Sequence, residues 1–132
     1  MEDRKAMSIL ILDDEPIVCK RLMPALEKMG YHVEVFFQSP EALARFREKP
    51  FDMVITDLKM KELDGMQFLT EVKKISPDTE VIVITGFATM DTAKESFRRG
   101  VFDFLSKPFK IKEIQDVIQR AEVQMAKRRA EQ

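Results

Sequence analysis

Disulfide chemistry is closed to this chain. It holds one cysteine, Cys19, in 132 residues. A single thiol forms no internal bridge, so the fold does not depend on an oxidising compartment. Cys19 lies in an apolar helical pattern and reads as a small buried side chain; a reactive thiol is the other reading. An excess of one charge sign is missing too. Lysine and arginine number 22 against 23 aspartates and glutamates, a net charge of -1. Domains that hold nucleic acid by bulk charge are usually strongly basic, so direct nucleic-acid binding is not expected here. Membrane-length apolar runs are also lacking. Met1 to Met7 is charged and leads into only five mostly apolar residues. Neither a signal peptide nor a membrane span is expected, and a cytoplasmic location is. No internal repeat or low-complexity linker interrupts the chain. What is there suits one domain with one core: 45% apolar and 34% charged residues, ordinary values for a globular protein.

Short apolar runs alternate with helical patterns. The runs are Ser8–Leu12, His32–Phe36, Met53–Thr56, Val81–Thr85 and Phe102–Leu105. The first, third and fourth are almost continuously apolar, as central strands buried on both faces are. The second alternates, as an edge strand can. Between the runs, apolar residues recur at three- and four-residue spacing: Val18, Leu22, Leu26 and Met29; Ala42, Leu43 and Phe46; Met66, Phe68, Leu69 and Val72; a segment from about Thr89 to Arg99; and Ile111, Ile114, Ile118, Ala121 and Met125. Ser39 followed by Pro40 reads as a helix N-cap with proline at the first helical position. Gly100 reads as a helix stop. Pro24 conflicts with its helical surroundings and predicts a tolerated kink. Strict alternation of strand and helix predicts an α/β fold with a parallel sheet covered on both sides.

In such sheets, ligands bind at the carboxyl ends of the strands. Asp13, Asp14 and Glu15 follow the first run, Asp57 the third, Thr85 and Gly86 the fourth, and Lys107 and Pro108 the fifth. Asp13, Asp14 and Asp57 converge if strands one and three are neighbours. Like charges that close repel, and a hard divalent cation such as Mg²⁺, which prefers oxygen ligands, offsets them. Lys107 adds a cation and Thr85 a hydroxyl. A free phosphate does not suit an acidic mouth. Transfer of a phosphoryl group onto one of the carboxylates does, because metal, ammonium and hydroxyl can each meet one oxygen of that group.

These residues carry a resemblance. Ile9 to Glu15, Ile55 to Met60 with Asp64 and Gly65 downstream, Val83 to Gly86, and Phe102 to Phe109 resemble, in order and spacing, the receiver domains of bacterial two-component response regulators. The likeness runs from about Ser8 to Ala121. It is strongest to receivers of transcription activators that work with the alternative sigma factor, sigma-54.

The resemblance implies a flavodoxin-like, doubly wound, five-stranded sheet of order 2-1-3-4-5 with five helices. It implies that Asp57 is the phosphoacceptor, phosphorylated by a sensor histidine kinase, and that the chain is no enzyme beyond its own phosphorylation and dephosphorylation. It assigns Mg²⁺ to Asp14, Asp57 and the main-chain carbonyl of Lys59, with Asp13 helping through water. Lys107 contacts the phosphoryl group, Thr85 is the hydroxyl switch, and Phe104 is the aromatic switch. The Lys107–Pro108 bond is expected to be cis. The face of helix 4, strand 5 and helix 5, or the C-terminal helix, is implied as a homodimer contact. Residues 1–7 are expected as an N-terminal extension, 8–121 as the receiver body, and 122–132 as a helical extension or linker to a possible output domain.

Lys61 stands where many members have proline, and Phe104 lacks the hydroxyl of the tyrosine found in some. The charge of Lys59 points toward the mouth or is simply solvated. Three rival readings remain. An aspartyl phosphatase needs a second Asp two residues after a nucleophile on strand one, which Asp13-Asp14-Glu15-Pro16 does not supply. A flavodoxin-like cofactor module needs a phosphate loop where this chain is acidic. A degenerate receiver, acting in protein contacts without phosphorylation, would not need the whole residue set.

Overall fold

A computed structural model describes residues 6–131. The expected N-terminal extension lies mostly outside the described residues. Ten elements alternate: β1 (Ser8–Leu12), α1 (Pro16–Lys28), β2 (His32–Phe36), α2 (Ser39–Glu48), β3 (Met53–Thr56), α3 (Gly65–Ile75), β4 (Glu80–Thr85), α4 (Met90–Arg98), β5 (Asp103–Ser106) and α5 (Ile111–Ala130). The strands form one parallel sheet in the order β2-β1-β3-β4-β5. The α/β architecture and the order 2-1-3-4-5 are therefore as expected.

Strand side chains alternate between faces, and each face has its own core. Ile9, Ile11, Met53, Ile55, Ile82 and Ile84 meet Val18, Leu22 and Leu26 of α1 and Ile114, Ile118 and Ala121 of α5. Leu10, Leu12, Val54, Val81 and Val83 meet Phe46 of α2 and Phe68, Leu69 and Val72 of α3. β1, β3 and β4 are buried along their whole length, which is why their sequences lack alternation. Burying each such aliphatic side chain contributes roughly 1.5–3 kcal/mol before the entropy of ordering it is counted.

Several boundaries differ from expectation. β4 begins one residue earlier, at Glu80. β5 spans Asp103–Ser106, one residue later than its apolar run, although Phe102 N–H already donates to Val81 O (2.7 Å). Ser39 is not the N-cap of α2. The cap is Gln38, without a side-chain bond, and Ser39 Oγ instead accepts from Leu63 N–H (3.1 Å). A tertiary partner has taken the hydroxyl that the local rule assigns to the helix end. Pro24 sits inside an otherwise continuous α1. It faces solvent, where water can satisfy the carbonyl that its missing N–H leaves free. Gly100 follows the last turn of α4 with φ +98°, a backbone region that favours glycine. α5 keeps packing beyond Ala121. Met125 is buried in the core, and Arg128 donates to Glu80 (2.8 Å) and to the carbonyl of Asp78 (3.0 Å). The basic tail is thus helix to Ala130 and covers the sheet end opposite the acidic mouth.

Candidate functional site

Parallel pairing carries each candidate residue to the same end of the sheet. The hydrogen-bond ladder runs one residue past the strands. Asp13 N–H donates to Phe36 O (3.1 Å), Asp57 N–H to Leu12 O (3.1 Å) and Lys107 N–H to Thr85 O (2.8 Å). Their backbones are therefore fixed by the sheet itself, even though their side chains occupy loops.

Lys107 is the hub. Its ammonium lies 2.9 Å from Asp13 Oδ2 and 2.9 Å from Asp57 Oδ2. It also pairs with Glu15. Asp13 and Asp57 are almost fully buried, at 3% and 4% exposure. Burial disfavours the charged amine of Lys107, but the hydrogen bonds it donates to Glu15, Asp57 and Asp13 outweigh it and hold its pKa above the usual lysine range. Burial pushes the carboxyl of Asp13 up, against the lowering pull of the Glu15 N–H and of Lys107. The remaining lone pairs are used locally. Asp13 Oδ1 accepts from Glu15 N–H (2.9 Å), and Asp57 Oδ1 accepts from the N–H groups of Leu58 (2.6 Å) and Lys59 (3.3 Å).

Asp13, Asp14 and Asp57 each bring a carboxylate oxygen to within 4.8 Å of the others. The donor set is all oxygen, and the carboxylates outnumber the single ammonium among them. Both features suit a hard divalent cation. Thr85 is fully buried, and its Oγ1 accepts from Phe87 N–H (3.1 Å). Phe104 is half-buried against the core on the α2–α3 side of the sheet. The Lys107–Pro108 peptide is cis. Cys19 is buried beside Asp13; burial first, then the Asp13 charge, pushes its thiol up to about 11. That leaves it an inert thiol rather than a nucleophile.

Two residues of the site had no role in the sequence reading. Glu15 completes the shell around Lys107; its one sequence signal is its place in an acidic run. Phe87 lies under Lys59, whose Nζ is 4.4 Å from the ring centroid. The ammonium of the exposed Lys59 thus rests on an aromatic face and forms no ion pair with the carboxylates among the described residues. Gly65 is held by packing. A Cβ there would lie 2.0 Å from the Asp57 carbonyl oxygen, so only glycine lets α3 start against the loop that follows β3.

Residues 9–119 match the family of response regulator receiver domains. The transcriptional regulatory protein ZraR of Salmonella typhimurium is 35% identical over 118 residues, covering 89% of this chain and 27% of that protein. The chain spans about a quarter of the length of such relatives. The response regulator receiver protein CpdR of Brucella abortus is 35% identical over 112 residues and is covered over 93% of its length. Among solved structures, a CheY-like receiver domain from Methanospirillum hungatei superposes with a TM-score of 0.90 at 25% identity, covering 94% of this chain and 99% of that one. The beryllofluoride-activated NtrC4 receiver domain dimer superposes at 0.85 with 34% identity, covering 89% and 98%. No helix among the described residues is long and apolar enough to cross a membrane.

Proposed function

Because the chain belongs to the response regulator receiver domain family, we propose that Asp57 is its phosphoacceptor and that a sensor histidine kinase is the donor. One observation carries this reading. Asp57 is the buried carboxylate at the end of the central strand β3, and its Oδ2 lies 2.9 Å from the ammonium of Lys107.

The chemistry balances without an outside oxidant or base. A carboxylate oxygen of Asp57 attacks the phosphorus of a phosphohistidine. The new O–P bond forms as the N–P bond breaks, and the leaving imidazole takes up a proton. An acyl phosphate serves equally, with a carboxylate as leaving group. Lys107 neutralises charge on the transferred group, and the Thr85 hydroxyl donates to one of its oxygens. Asp14, Asp57 and the main-chain carbonyl of Lys59 would hold Mg²⁺, with Asp13 acting through water. When bound, the ion offsets the acidic charge of the mouth and polarises the phosphoryl oxygens. The output is a change in the α4–β5–α5 face, with Thr85 and Phe104 as switch residues. That face or α5 would contact a second copy. The reaction is confined to the chain's own carboxylate, and its expected setting is the cytoplasm.

Incubation with acetyl phosphate and Mg²⁺ tests the assignment. One base-labile phosphoryl group should be gained, and Asp57→Asn should gain none. Full labelling of the Asp57→Asn chain would overturn the proposal.

A further inference from the structure

Two groups hold Phe87 in place. Thr85 Oγ1 accepts from its N–H at 3.1 Å, and the ammonium of Lys59 sits over its ring at 4.4 Å from the centroid. Little apolar packing adds to these contacts, since Phe87 is 53% exposed. Lys59 and Phe87 come from different loops, after β3 and after β4. They line one cavity of about 450 Å³ with Asp14, Glu15 and Asp57. Among the described residues the ammonium of Lys59 forms no ion pair, while that of Lys107 forms three.

An ammonium over a solvent-exposed ring is weakly held. A phosphoryl group brings about -1.5 to -2 charges and three strong acceptor oxygens, and a charge-assisted bond to it is much stronger than the aromatic contact. We infer that the Lys59 side chain is a second cationic ligand for the phosphoryl group of Asp57, stored over Phe87 until that group arrives. The inference rests on the phosphorylation proposed above. Its consequence is that Phe87 loses its ring contact when Lys59 turns inward, and its N–H acceptor when the Thr85 hydroxyl does. The Phe87 carbonyl accepts from Thr92 Oγ1 of α4 (3.3 Å), so the release reaches the start of that helix.

The chain contains no tryptophan, so Phe87→Trp installs a single fluorophore at this contact. Acetyl phosphate and Mg²⁺ should add one phosphoryl group by intact mass and change its emission about 1.5-fold or more as the ammonium leaves the ring. With emission scaled to the phosphoryl groups counted by intact mass, Lys59→Met in the same background should give less than about half of that response per group, and Lys59→Arg should restore it. A phosphorylated Phe87→Trp chain with unchanged emission overturns the inference and leaves the acceptor assignment standing. So does a full response in the Lys59→Met chain. If the unmodified chain takes up no phosphoryl group at all, the acceptor reading fails and this inference fails with it.

Discussion

Gly65 and Asp57 touch through backbone alone: a methyl group on Gly65 would sit 2.0 Å from the Asp57 carbonyl oxygen and 2.5 Å from Leu58 Cα. The Gly65 N–H also donates to Leu58 O at 2.7 Å, which keeps the first turn of α3 against the loop that follows β3. Gly65→Ala should therefore destabilise the fold by about 3 kcal/mol, at the upper end of overpacking costs, because backbone and not a flexible side chain must yield. Urea unfolding measures this. A midpoint unchanged from the parent chain would show that the loop can move away freely.

Lys107 predicts a linkage between charge and metal. Lys107→Met leaves Asp13 and Asp57 buried without their cation and should lower stability by about 3 kcal/mol in metal-free buffer. Mg²⁺ at ten times its dissociation constant should stabilise the parent chain by about 1.4 kcal/mol. Asp14→Asn should lose most of that gain, and Lys107→Met should show a larger one. Thermal melts with and without Mg²⁺ give all three values; equal gains in the three chains would separate the acidic cluster from metal binding.

Glu34 and Arg45 predict an acid-side loss of stability. Arg45 Nε and Nη2 donate to the two oxygens of Glu34 at 2.8 and 2.9 Å, joining α2 to the edge strand β2. These bonds from Arg45, opposed by burial and aided by His32, lower the carboxyl of Glu34 from 4.5 to about 2. A pKa depressed in the folded state adds stability above the unfolded value, and that contribution fades as pH falls from 4.5 toward 2. The urea midpoints of the parent and Glu34→Gln chains should thus differ near neutral pH and draw together as pH falls through 4.5 toward about 2. Parallel pH curves would show that the pair contributes nothing.

The amino-acid pattern revealed the parts of the molecule that depend on periodicity. β1, β3 and β4 were legible because burial on both faces leaves unbroken apolar runs. β5 was misjudged by one residue because it is an edge strand of half-buried residues, where no face is strongly marked. The acidic mouth was legible because strand ends in a parallel sheet must meet. What stayed hidden is what the third dimension decides. Ser39 serves a residue 24 positions away, Glu15 reaches one 92 positions away, and Lys59 meets an aromatic ring on another loop. No local rule couples such positions.

Lys107 joins carboxylates that precede it by 50 and 92 residues. A chain growing from its N-terminus therefore carries Asp13, Glu15 and Asp57 long before it carries the cation they share. Until β5 docks, the three acids lack the ammonium that pairs with all of them in the folded chain. Closure of the acidic mouth thus waits on β5, and a chain that ends before Lys107 lacks the ammonium that joins the three acids.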